Sequence, residues 1–164
     1  MKKTIFKSAL IVFVSVLFLS CNNDDDNGTT PAPNPGASLG TFVGNLQVTD
    51  DPQTNLGYVY NAKVTVTTSG TNATIKITGN EGFDREYSGV VFSSSSTATR
   101  IDIKRQTKPV DKIAGNDMVI SNNNLAIDIS LASDNVTVKK NPTSTSTVNI
   151  SGKIRMIGTD LLKQ

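Results

Sequence analysis

From Thr41 onward apolar and polar side chains alternate with a period of two, the spacing of strands that bury one face and wet the other. Phe42, Gly44, Leu46 and Val48 share a face opposite Thr41, Asn45 and Gln47. Tyr58, Tyr60, Ala62, Val64 and Val66 follow the same rule, as do Ala73, Ile75 and Ile77, and then Ile101 and Ile103. Leu125, Ile127, Ile129 and Leu131 form a further run, Val136 and Val138 a short one, and Val148, Ile150, Gly152, Ile154 and Met156 the last. Tyr87-Ser88-Gly89-Val90-Val91-Phe92 loses the alternation at Val90-Val91, which predicts a bulge near Gly89.

Turn residues separate these runs: Ser69-Gly70-Thr71-Asn72, Gly79-Asn80-Glu81-Gly82, Ser121-Asn122-Asn123-Asn124 and Ser133-Asp134-Asn135. Gly and Asn tolerate the left-handed backbone that tight hairpins require. Two connections are longer, Thr49 to Gly57 and Thr107 to Asp117, the second containing Pro109. Short links favour neighbouring antiparallel strands. The pattern therefore predicts an all-β domain of eight or nine strands in a meander, which closes into an antiparallel up-and-down barrel of about eight. No stretch reads as an amphipathic helix, and Leu161-Leu162 is too short a run to assign.

The N-terminal part has a different pattern. Lys2, Lys3 and Lys7 precede an apolar run from Ser8 to Ser20, too short to span a bilayer comfortably but suited to a signal peptide. Residues 29–38 carry three prolines and no large apolar side chain, the composition of a linker. The chain thus divides into a signal peptide (1–20), a segment holding Cys21, an acidic run and a Pro-rich disordered linker (21–38), and the β domain (39–164). If extended, the linker reaches roughly 50 Å, enough to hold the domain clear of lipid headgroups.

Composition narrows the chemistry. The 16 Lys+Arg and 14 Asp+Glu become 13 against 14 once Lys2, Lys3 and Lys7 are removed, so the mature chain is near neutral. Without a basic stripe, nucleic acid is not an expected partner. There is no His, which removes the commonest general base and the commonest zinc ligand. Cys21 is the only cysteine, so no intrachain disulfide forms. Asn23-x-Asp25-x-Asn27-Gly28 opens like a calcium loop, but its twelfth position is Asn34 rather than Glu.

Three resemblances add to this reading. Phe18-Leu19-Ser20-Cys21 resembles the lipobox of bacterial lipoproteins, which implies that Cys21 becomes the lipidated N-terminus. Asp24-Asp25-Asp26 resembles the acidic export signal of Bacteroidota surface lipoproteins, which implies display on the outer face of the outer membrane, with periplasmic retention as the alternative. Gly40-Thr41-Phe42-Val43-Gly44-Asn45-Leu46-Gln47-Val48 and Val148-Asn149-Ile150-Ser151-Gly152-Lys153-Ile154 resemble the first and last strands of lipocalin-like (calycin-like) lipoproteins, with Phe42 where lipocalins carry Trp. That likeness implies a barrel with a cavity for an apolar ligand.

No catalytic constellation emerges. Asp84 and Glu86 share a strand face, as paired acid and base carboxylates do, but so do charges on any wet face. Tyr58, Tyr60, Arg85, Tyr87 and Arg105 are the candidate ligand-lining residues, because each is expected on an inward face where a polar tip could orient a ligand at a barrel mouth. The expectation is a monomeric, membrane-anchored, non-enzymatic binding protein with no cofactor or metal, taking an apolar small molecule or a surface macromolecule. The alternatives are an adhesive or glycan-binding β-sandwich and a barrel inhibitor of secreted hydrolases.

Overall fold

The computed structural model describes residues 38–50 and 54–164. Cys21, Asp24, Asp25, Asp26 and the expected signal peptide lie outside the described residues, as does the linker up to residue 37. The described chain forms nine strands: β1 (Ser38–Thr49), β2 (Asn55–Ser69), β3 (Asn72–Thr78), β4 (Asp84–Ser94), β5 (Ala98–Lys108), β6 (Lys112–Gly115), β7 (Asp117–Ser121), β8 (Asn124–Val138) and β9 (Val148–Lys163). Each strand from β1 to β5 pairs antiparallel with the next, β8 pairs with β9, and β9 returns to β1. Both β6 and β7 lie between β5 and β8 and share one position end to end. The result is a closed ring of eight strand positions in up-and-down order, the barrel the alternation predicts.

The ring packs one continuous core. Phe42, Leu46, Ile75, Ile77, Ile101, Ile103, Leu125 and Ile129 are all shut off from solvent inside it. A barrel of this strand number is just wide enough for inward side chains to fill it or for it to hold one small ligand, and these residues line the interior of this one.

Closure joins β1 to only one half of β9. The first strand meets the far half of β9, with Val43 opposite Leu162 and Val48 opposite Met156. The Leu161-Leu162 pair left unassigned from sequence is therefore part of the seam, and Leu161 is buried. Among the described residues, the near half of β9, from Val148, pairs only with the last part of β8, so this hairpin projects beyond the ring. It folds across one barrel end, where Val136 and Val138 are buried and Lys139 forms a bridge to Tyr58 on β2. The backbone amide of Tyr58 donates to the Lys139 carbonyl at 2.8 Å, and Lys139 returns the bond at 3.1 Å.

Two further expectations are corrected here. Ser133-Asp134-Asn135 is not a turn; β8 runs through it with an extra residue between Leu131 and Asp134 relative to β9. The long connection from Thr107 to Asp117 contains β6, which Asn116, at φ 75°, separates from β7.

Bulges reset which face is buried. Between Gly44/Ala62 and Leu46/Val59 the second strand carries one extra residue, and Asn61 adopts φ 51° there. Beyond it Gly57 and Val59 point inward, so Tyr58 and Tyr60 lie on the outer wall rather than the apolar face expected for them. Beside Gly89 the register also shifts, as predicted, but the extra residue is on β5: Ser88 faces Arg105 while Gly89 faces Ile103. That shift turns Arg105 out to solvent and Gln106 inward. Val90 and Phe92 are outward and exposed, with Val91 inward between them.

Candidate functional site

A cluster of buried polar groups lies beneath the β8–β9 cap. Phe83, Arg85 and Tyr87 point inward along the start of β4 and the residue before it. Arg85 reaches the cap: its Nε donates to Asp134 Oδ2 at 3.2 Å and its Nη2 to the Asn135 carbonyl at 2.7 Å. Its Nη1 donates to the Asp84 carbonyl at 3.0 Å, and its guanidinium carbon lies 5.0 Å from the centre of the Phe83 ring. From β6, Lys112 Nζ donates to Asp134 Oδ1 at 3.1 Å and to the Ser133 carbonyl at 2.7 Å. One carboxylate, 5% exposed, thus holds cations from two different walls. A buried carboxylate is tolerable only when paired and hydrogen-bonded in this way.

Under this latch Tyr87 and Gln106 stand directly opposite each other on β4 and β5, both buried. Gln106 Nε2 donates to the Val110 carbonyl at 3.3 Å, which ties down the β5–β6 connection. Among the described residues, Gln106 Oε1 and the Tyr87 hydroxyl have no hydrogen-bond partner. Burial pushes the Tyr87 hydroxyl far above its ordinary range, with the Asp134 charge adding to the effect, so it stays protonated and able to donate. An unmade hydrogen bond at a buried polar atom costs about 1–3 kcal/mol. The two atoms lie on residues that face each other across neighbouring strands.

The structure therefore brings together two of the five candidate ligand-lining residues, Arg85 and Tyr87. Arg105 is outside, in a two-bond pair with Asp111 at 2.9 and 2.7 Å. Tyr58 and Tyr60 pack against each other on the outer wall, with ring centres 5.5 Å apart. Asp84 and Glu86 are engaged separately: Lys108 Nζ donates to Asp84 at 3.1 Å, and the Thr107 hydroxyl donates to Glu86 at 3.0 Å.

Gln106, Lys112 and Asp134 are the residues the sequence pattern missed. A trace of Asp134 was present: the buried positions change from odd numbers (Leu125 to Leu131) to even ones (Val136, Val138), which one extra residue within a single strand produces. No comparable trace marks Gln106.

No family model matches the chain, and no curated protein and no solved structure matches it.

Proposed function

We propose that this chain is a lipid-anchored, non-enzymatic binding module of the outer membrane surface, and that its capped barrel end receives a small molecule with a polar head and an apolar body. The observation that carries this reading is the pair of unpartnered buried atoms, Gln106 Oε1 and the Tyr87 hydroxyl. A hydrogen-bond donor on the ligand would satisfy Gln106, and a donor or acceptor would satisfy Tyr87. The apolar side chains below would contact the rest of the ligand.

The barrel's polarity supports the reading. Ser38 pairs with Thr67 at one end of β2, whereas the cap meets Gly57 and Tyr58 near the other. At about 3.3 Å per residue these ends are roughly 30 Å apart. A tether attached through Cys21 would enter at the end away from the cap, leaving the capped end facing outward. The cap is latched by charges and backbone hydrogen bonds, contacts that can be exchanged for a ligand's own.

Native mass spectrometry of the protein purified from its source tests this. The expected result is a co-purifying small molecule that Tyr87→Phe and Gln106→Leu both release while the fold persists. Absence of any bound mass in the wild type, or retention in both variants, would refute binding at this end. Anchoring is tested separately. Cys21→Ala should leave an uncleaved precursor. Replacing Asp24, Asp25 and Asp26 by Ala should keep the lipid but lose accessibility to protease added to whole cells.

A further inference from the structure

The outer wall carries a second feature, which touches the cap only through the Tyr58 backbone and lies outside the barrel interior. Along the seam between β1 and β9 the pairing is interrupted: Val43 faces Leu162 and Gln47 faces Ile157, with one more residue on β9 than on β1 in between. The opening forms a cleft of about 290 Å³, lined by Asn45, Gln47, Tyr58, Ile157, Thr159 and Asp160. Gln47 has Tyr58 opposite it on β2 and Ile157 opposite it on β9, so the floor is a row of three side chains on adjacent strands. A second cleft of about 140 Å³ continues across β8 and β7 to Asp128 and Val119, and the two share Ile157 and Thr159. Together they make a groove crossing five neighbouring strands, about 19 Å at the usual strand spacing.

The groove's chemistry is mixed. Tyr58 is held in place: Tyr60 packs against its ring, and Asn55 Nδ2 donates to its hydroxyl at 2.9 Å. Around it stand the planar amides of Asn45 and Gln47, the Thr159 hydroxyl and the Asp160 carboxylate. The Thr159 hydroxyl donates to Asp160 at 3.2 Å. Asn45 Oδ1 accepts from the Asn61 backbone amide at 3.2 Å, which fixes that amide side chain over the β2 bulge. The carboxylates Asp128 and Asp117 line the far cleft, each already paired, with Arg155 and Arg100 respectively.

We infer that this groove is a binding site for a neutral oligosaccharide. A pyranose has an apolar face of C–H groups, which suits the electron-rich face of a tyrosine ring, and a rim of hydroxyls that both donate and accept. Amides and carboxylates in fixed positions meet such a rim, because each hydroxyl can donate to a carboxylate or exchange two bonds with an amide. The Asp160 carboxylate, which has no ion-pair partner among the described residues, disfavours anionic ligands. An extended groove across strands suits a chain of several sugar units better than a single compact molecule. Pre-set side chains lose little freedom on binding, which favours measurable affinity at a shallow site.

The test is amide chemical-shift mapping of the full chain with maltohexaose, xylohexaose and mannohexaose as probes. At least one should shift the amides of Asn45, Gln47, Tyr58, Ile157 and Thr159 and leave those of Tyr87 and Gln106 in place. Tyr58→Ala and Gln47→Ala should each weaken that binding at least tenfold, whereas Tyr58→Phe, which keeps the ring, should weaken it less. Circular dichroism of the variants checks that the barrel persists. The inference is overturned if none of the three probes shifts the groove, or if Tyr58→Ala binds as the wild type does. Shifts confined to Tyr87 and Gln106 would also overturn it, and would instead favour the capped end.

Discussion

Gly57 on β2 lies so close to Val138 at the end of β8 that a methyl group on Gly57 would sit 2.7 Å from Val138 Cγ2 and 2.8 Å from the Lys139 carbonyl. The cap is seated on the barrel rim by the absence of a side chain at this position. Gly57 also has φ +145°, a conformation that L side chains rarely adopt. Gly57→Ala should therefore destabilise by about 1–3 kcal/mol, the usual range for overpacking. The more specific expectation is local. The amides of Tyr58 and Lys139, which bond across this contact, should exchange with deuterium much faster, while the β3 and β4 amides slow or speed only with global stability. Unchanged exchange at Tyr58 and Lys139 would show that the cap is held elsewhere.

Asp134 and Asp117 both pair with arginine, in very different surroundings. Asp134 is 5% exposed and its partner Arg85 12%, whereas Asp117 and Arg100 are 46% and 49% exposed. Removing one member of a buried pair leaves an uncompensated charge and costs about 3–5 kcal/mol; an exposed pair contributes about 0–1 kcal/mol. Asp134→Ala should sit near the low end of its range, because Lys112 can turn back to water from its partly exposed position. Urea denaturation of Asp134→Ala and Asp117→Ala decides. Equal losses would mean that the latch adds nothing beyond a surface ion pair.

The strands were legible wherever alternation ran unbroken, as in Ala73-Ile75-Ile77 and Leu125-Ile127-Ile129-Leu131. Errors began at bulges, since one inserted residue inverts every side chain beyond it. Asn61 puts Tyr58 and Tyr60 on the outside although their even spacing from the buried Ala62, Val64 and Val66 places them on the inward face. The extra residue on β5 exchanges the roles of Arg105 and Gln106, and nothing local in Lys104-Arg105-Gln106 announces it. The candidate site was half visible for the same reason. Arg85 and Tyr87 precede the irregular part of β4, while Gln106 and Asp134 each lie just past a register shift on their own strands. Closure by Leu161 and Leu162 was hidden because two residues at a chain end are too few to show a period.

Acid stability should depend on Asp128. Burial raises its carboxyl, but hydrogen bonds from Arg155 and Asn116 outweigh burial and hold it below the usual carboxylate range. Arg155 Nε donates to Asp128 Oδ1 at 2.8 Å, and Asn116 Nδ2 at 2.9 Å. The folded state therefore binds a proton at this site less readily than the unfolded chain, whose Asp titrates near about 3.9. The stabilisation is complete above that value and disappears as pH falls through the lower folded value. Asp84 and Asp111 are shifted the same way, chiefly by hydrogen bonds from Lys108 and Arg105, but both are well exposed and salt screens them. In high salt Asp128→Asn should thus flatten the loss of stability below about pH 4. If the variant and the wild type lose stability in parallel as acid is added, Asp128 is not the group responsible.

The seam makes the last prediction. Leu161 is 1% exposed, and its Cα and side chain crowd Gly44 so closely that a Cβ there would meet them at 3.0–3.2 Å. Beyond it Lys163 donates its backbone amide to Asn123 at 2.8 Å, and Gln164 to Thr41 at 2.9 Å, so the chain end ties β9 to both neighbouring walls. If these residues close the barrel, Leu161→Ala should cost about 2–5 kcal/mol, the range for deleting a buried leucine side chain. Ile154→Ala, equally buried but set where β9 leaves β1, should cost a similar amount. The two should differ in kind. Loss of Leu161 frees the first and last strands from each other, so amide exchange should rise at Val43 and Leu162, whose pairing lies beside it. Loss of Ile154 should loosen the cap hairpin instead. A Leu161→Ala protein that melts like the wild type, with Val43 and Leu162 still protected, would show that the ring does not need its last residues to close.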